Sequence, residues 1–254
     1  MKEGVPNLES NKLDLQRYKK LQGDSMEELC RVRKEALDMA NISVRELKAD
    51  SADFESNRAK LNSEPGIVIA NHPGAFDSSA ILSLLYRNDI LMMVNDNEAY
   101  EGTPIENSFV KAPHSQKEIQ EVFDRIRKHI QNGGLFFMFP TAGHENEGGD
   151  FKFRSGLSYM LTDGTLKDDT MIYCFDIKNG VGITSQEDIQ KRVDYVVRKK
   201  LYPDAHDSVP VPAEIILDER LTRGREWIEI LKNEGRDKNI VLGDHYLGLF
   251  KETL

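Results

Sequence analysis

The chain has 254 residues, 39% hydrophobic and 30% charged, with 18 glycines and 9 prolines, a balance that excludes a disordered or fibrous chain and leaves room for one large core. Its net charge of −9 gives no electrostatic footprint for nucleic acid and opposes long-range attraction to an anionic membrane. The longest apolar runs, residues 91–94 and 135–139, fall far short of the roughly 20 residues of a spanning helix, so any membrane contact is expected to be peripheral.

The opening Met1-Lys2-Glu3-Gly4 is followed by no apolar stretch and reads neither as a signal peptide nor as an anchor. The first dozen residues are expected to be disordered. Residues 1–60 are charged and rich in helix formers, and Met26, Leu29, Val32, Ala36, Leu37 and Ala40 recur at helical spacing. They predict an N-terminal helical segment packed on the rest through 25–49. From residue 65 short apolar runs alternate with amphipathic stretches, the grammar of an α/β domain. The expected division is a helical segment over 1–60 and an α/β domain over 61–254.

Residues 67–70 read as a buried strand, and 78–86 as a helix with Asp77 or Ser78 as N-cap. A second apolar run covers 89–94, and Phe109-Val110 reads as a short strand. Ile119, Val122, Phe123, Ile126 and Ile130 place a helix over 115–131, closed by Asn132-Gly133-Gly134 before a strand at 135–139. Glycine-rich residues 140–150 form a loop. A helix over 155–162, a strand at 171–177, an amphipathic helix at 186–201, a strand at 214–217 and a helix containing Trp227, Ile230 and Leu231 complete the expectation.

The stretch Asn71-His72-Pro73-Gly74-Ala75-Phe76-Asp77 lies between a buried strand and a helix start. A turn at the C-terminal end of a strand is where α/β sheets place ligands, and a helix N-terminus beside it favours negative charge. Pro73 and Gly74 let the backbone fold back, so the Asp77 carboxylate can reach the His72 ring. A carboxylate bonded to one imidazole nitrogen fixes tautomer and orientation, leaving the other nitrogen to take a proton from an attacking hydroxyl. No enzyme nucleophile is required, and the chain has no G-x-S-x-G elbow; Cys30 and Cys174 sit in no catalytic or metal-ligand spacing. The same residues also fit a plain structural role, with His72 filling a turn and Asp77 capping a helix.

Asn71-His72 with Asp77 resembles the His-x4-Asp motif of the glycerolipid acyltransferase superfamily, the lysophosphatidic acid and glycerol-3-phosphate acyltransferases. Phe109-Val110-Lys111 resembles that family's second block, Phe139-Pro140-Thr141-Ala142-Gly143 its Phe-Pro-Glu-Gly-Thr block, Asp150 through Gly156 its Phe-Lys-x-Gly segment, and residues 171–177 its apolar fourth block. The similarity runs in order over roughly residues 60–180.

The resemblance implies a mixed β-sheet flanked by helices and an acyl-CoA or acyl-carrier-protein thioester as donor, with no tightly bound cofactor and no metal. It also implies a hydroxyl acceptor: glycerol phosphate, a lysophospholipid or a related alcohol. His72 would be the base and Asp77 its orienter, with Asn71, Lys111, Thr141, Gly143, His144, Lys152 and Arg154 in contact with substrates. Thr141 replaces the family glutamate and His144 the usual arginine, while Met171-Ile172 lacks the usual proline. Charge recognition would therefore rest on Lys111, Lys152 and Arg154.

Three other readings stay open. His144, Glu145, Asn146, Glu147, Asp150 and His114 suggest a metal loop, though without HExxH or C-x-x-C spacing. Lys191, Arg192, Arg198, Lys199 and Lys200 beside Ile189, Val193 and Val197 suggest a basic amphipathic helix for an anionic lipid surface or an acidic carrier protein. A non-catalytic acyl-thioester or lipid-binding protein with the same fold is the third. The widely separated cysteines point to a reducing compartment, hence a cytoplasmic location, with peripheral contact at the inner membrane face.

Overall fold

Seven strands form one mixed sheet in the order β1-β7-β6-β2-β5-β3-β4. In chain order the elements are α1 (Met26–Met39), β1 (Ile42–Glu46), α2 (Phe54–Ser63), β2 (Gly66–Ala70), α3 (Asp77–Leu82), β3 (Ile90–Val94), a 3₁₀ turn (Glu106–Ser108), β4 (Phe109–Lys111), α4 (Gln116–Gln131), β5 (Leu135–Met138), α5 (Ser155–Thr162), β6 (Met171–Asn179), α6 (Gln186–Leu201), β7 (Ala213–Arg223), α7 (Gly224–Asn233) and α8 (Lys238–Phe250). This computed structural model describes residues 19, 22–47, 53–73, 76–95, 99–141, 153–179, 182–183, 185–204, 207–233 and 235–251. The first dozen residues, expected to be disordered, lie outside the described residues.

Every neighbouring pair of strands is parallel except β6 and β7, and the period of two sorts their side chains into two cores. Val68, Phe137, Tyr173 and Phe175 face a layer containing Leu29 of α1, Leu61 of α2, Ala80 of α3 and Ile189 of α6. Ile67, Ile69, Phe136 and Cys174 face Phe123 of α4, Leu157 of α5, Trp227 of α7 and Tyr246 of α8. Strands β2 and β5 are buried on both faces, which is why they read as unbroken apolar runs rather than as alternations. Because β2, β5, β3, β4 and β6 all run the same way, their C-terminal ends share one edge of the sheet.

Four expectations change. The helical N-terminal segment contains a strand, since Asn41 takes a left-handed conformation, φ 55°, that ends α1 and turns the chain into Ile42-Ser43-Val44. That strand, β1, pairs with β7 and so belongs to the same sheet as the rest of the chain. The helix expected over 78–86 stops at Leu82 and starts one residue earlier, at Asp77, with no side-chain cap. The strand expected at 214–217 runs through 11 residues, its polar middle concealed by ion pairs that take Asp218 and Glu219 into the interior. Helix α8, which carries Gly243 and Gly248, lies beyond the elements that the sequence pattern predicts.

Glu219, on β7, and Glu46, at the end of β1, share the Arg58 guanidinium of α2; the Glu219 pair spans 3.2 Å. Glu219 Oε1 and Arg58 Nη1 are buried without hydrogen-bond partners. Two carboxylates against one guanidinium leave a net negative charge in the interior, and burial pushes both carboxyl groups up, opposed by Arg58. A carboxyl raised on folding binds its proton more tightly in the folded state, so its charged form costs stability at high pH and the cost fades as pH falls. Glu219→Gln is therefore expected to stabilise the protein at pH 8 by on the order of 1 kcal/mol. The gain should shrink toward the ordinary glutamate value of 4.5. Thermal melts of both proteins across pH check this; a Glu219→Gln protein several degrees less stable at pH 8 would mean that the ion pair outweighs its burial.

Helix α6 carries less free positive charge than its sequence suggests. Arg192 is buried, bonded to Asp188 and to the carbonyls of Ala40, Val211 and Gly182 at 2.9–3.0 Å. Lys191 pairs with Glu187, and Arg198 with Asp207. The guanidinium of Arg192 ties α6 to the β1 and β7 ends instead of facing a lipid surface.

Candidate active site

The turn after β2 leaves the C-terminal edge of the sheet, and His72 stands on it. Its Nδ1 lies 2.8 Å from Asp77 Oδ2. Asp77, in the first turn of α3, is 1% exposed, whereas the His72 side chain is 27% exposed, so the buried carboxylate backs a ring that still reaches solvent. Asp77 opens α3, and its carboxylate bonds the imidazole from the first turn of that helix. A carboxylate opposite Nδ1 holds the proton on that nitrogen and makes Nε2 the basic one.

The ring is fixed from a second side by Phe139, just past β5, which stacks on it with centroids 4.3 Å apart and an interplanar angle of 14°. His72 and Phe139 line a cleft of about 170 Å³ with Ser78, Met92, Met93, Val94, Asn95 and Ala112. Its walls are largely apolar, built from the ends of β3 and β5. On the other side of the β5 end, Thr141, Phe153, Arg154, Ser155 and Asn239 bound a wider and more polar hollow of about 510 Å³ at the N-terminus of α5.

The remaining predicted residues separate into three groups. Lys111 ends β4, exposed, one residue before Ala112 of the cleft, and Arg154 precedes α5 at the mouth of the polar hollow. Thr141 borders that hollow, and its Oγ1 is buried with no hydrogen-bond partner. Asn71 has both ends of its carboxamide bonded to β6, Oδ1 accepting from Ile177 N–H at 2.6 Å and Nδ2 donating to the Ile177 carbonyl at 2.9 Å. Gly143, His144 and Lys152 lie outside the described residues, as do Glu145, Asn146, Glu147 and Asp150 of the suggested metal loop.

His114 is exposed at the start of α4, where its backbone N–H donates to Glu118. Among the described residues, no group of three His, Cys, Asp or Glu is placed to hold a metal ion. Both cysteines are buried, and burial pushes the Cys30 thiol up to about 12 and raises Cys174 as well, so neither supplies a thiolate. No helix among the described residues is long and apolar enough to cross a membrane.

Two features of the site were not legible in the motif. Phe139, expected at the end of a strand and at the head of the third block, is the platform under the imidazole; an aromatic residue directly before Pro140 at a strand end is the available signal. Asp176, on β6, accepts from Asn71 Nδ2 at 3.1 Å and pairs with Lys178 at 3.3 Å, and burial pushes its carboxyl up despite that lysine.

No protein-family model and no curated protein matches the chain. Among solved structures, it is similar to that of the 1-acyl-sn-glycerophosphate (LPA) acyltransferase PlsC from Thermotoga maritima, at 12% identity and a TM-score of 0.49, over 96% of this chain and 87% of that one. A likeness of that size carries no activity across to this chain.

Proposed function

We propose that the chain is an O-acyltransferase that moves a fatty-acyl group from an acyl-CoA or acyl-carrier-protein thioester to a hydroxyl acceptor. The observation that carries the reading is the 2.8 Å contact of His72 Nδ1 with the buried Asp77 carboxylate, beside an apolar cleft. In this reading Nε2 takes the proton of the acceptor hydroxyl as its oxygen attacks the thioester carbonyl carbon. The tetrahedral adduct collapses with cleavage of the C–S bond, and the imidazolium returns its proton to the departing thiolate. Asp77 stabilises the imidazolium while it exists and holds the ring in place.

The apolar walls at Met92, Met93 and Val94 suit the acyl portion of the donor. The polar hollow suits the acceptor: the Thr141 hydroxyl lacks a partner, and Arg154 stands at a helix N-terminus that favours negative charge. Lys111 would add charge from the β4 side. Burial of both cysteines supports direct transfer rather than an acyl-enzyme on sulfur.

The test is thiol release from acyl-CoA and acyl-carrier-protein thioesters offered with glycerol 3-phosphate, lysophosphatidic acid and uncharged long-chain alcohols. Release that depends on one of these acceptors, with the ester recovered, is the expected result. Thioester binding without release in every combination would instead favour the non-catalytic carrier.

A further inference from the structure

Strands β2 and β6 keep parallel register as far as Ala70 and Phe175, and there β2 ends while β6 continues to Asn179. A side chain 175 positions farther along fills the fork. The Tyr246 hydroxyl of α8 accepts from the Asn71 backbone N–H at 3.0 Å and donates to the Phe175 carbonyl. The Asn71 carboxamide, meanwhile, copies a peptide group against Ile177 and adds the bond to Asp176. The residue before His72 is thus gripped by its backbone from α8 and by its side chain from β6.

We propose that Tyr246 is a positioning residue for the His72–Asp77 pair, acting through Asn71. The tyrosine is 0% exposed, and its ring packs against Phe153 at 5.5 Å and Phe250 at 5.2 Å, so the core beneath α8 sets where the hydroxyl stands. Without the hydroxyl, the Asn71 N–H and the Phe175 carbonyl face each other across a buried gap, and the strain of closing it or leaving both unpaired falls on the turn that carries His72. Neither tyrosine nor asparagine touches substrate in this scheme; both fix where the base sits.

Tyr246→Phe keeps the ring and removes only the oxygen. It is expected to lower kcat roughly 10- to 100-fold, the scale for a displacement near 1 Å, to leave KM for the thioester near the wild-type value, and to shift the ¹H–¹⁵N signals of the His72 imidazole. Val241→Ala, a core truncation on the same helix, is expected to lower the melting temperature while leaving kcat and those signals unchanged. Wild-type kinetics and imidazole signals in Tyr246→Phe would overturn the proposal; so would equal losses of kcat in the two variants that track stability, since α8 would then be mere scaffold. Should Tyr246→Phe fail to fold, Asp176→Ala, which removes the carboxylate end of the same grip, is expected to show the same split, and its absence overturns the proposal. The kinetic arm rests on the acyl-transfer reading. If the wild type transfers to no acceptor, that reading fails, and the imidazole signals alone decide the positioning.

Discussion

Asp77→Asn is expected to lower kcat by about 10³- to 10⁴-fold while the fold and thioester binding persist. Asparagine keeps the shape of the side chain but can present an N–H where the carboxylate presented an acceptor. That pushes the imidazole proton from Nδ1 to Nε2 and leaves no basic nitrogen facing the acceptor hydroxyl. Because Asp77 is 1% exposed, water cannot stand in for the lost oxygen. Steady-state kinetics beside circular dichroism measure the effect. An Asp77→Asn protein retaining a tenth of wild-type kcat would assign the carboxylate to helix stability rather than to orienting the base.

The second large effect concerns stability and lies at the opposite edge of the sheet. Arg87 is 6% exposed and carries a two-point pair to Asp89, at 2.6 and 2.7 Å, together with bonds to the carbonyls of Leu61, Glu64 and Gly133. It joins the end of α2, the approach to β2 and the turn before β5. Arg87→Leu would leave three buried or half-buried carbonyls unpaired, and we expect a loss of about 3 kcal/mol. Asp89, half exposed, can recover hydration, which keeps the figure at the lower end for a broken buried pair.

The arginine also holds the Asp89 carboxyl below its ordinary range, chiefly by hydrogen bonding. A carboxyl depressed on folding stabilises the protein above its unfolded pKa, and that contribution disappears as pH falls through the folded value. Part of the wild-type acid limb should therefore be missing from Arg87→Leu. Urea unfolding at neutral and acidic pH measures both features, and kcat per folded molecule should not change. A loss below 1 kcal/mol would show that water replaces the guanidinium at little cost.

How much was legible follows from the range of the interactions. Strand β2, His72 and the start of α3 are encoded within a dozen residues, so the His72–Asp77 contact could be read from spacing. Helices α4 and α6 were legible for the same reason, through unbroken apolar periodicity. Strand β1 was hidden because a single left-handed asparagine converts a helical stretch into an edge strand. The length of β7 was hidden because Asp218, Glu219 and Arg220 look like solvent residues until Arg58 and the cross-strand neighbours are in place. The anchoring of Asn71 was hidden for a related reason: its amide is bonded by Ile177, more than a hundred positions away, and Tyr246 is more distant still. Long-range polar pairing leaves no periodic trace in a single chain.

The most direct measurement of the central claim compares wild type with His72→Ala for acyl transfer and, on the same samples, for equilibrium binding of the same acyl thioester. The account predicts acceptor-dependent transfer by the wild type, a loss of at least about 10²-fold in His72→Ala, and similar thioester affinity in both. Transfer by His72→Ala at the wild-type rate would contradict it.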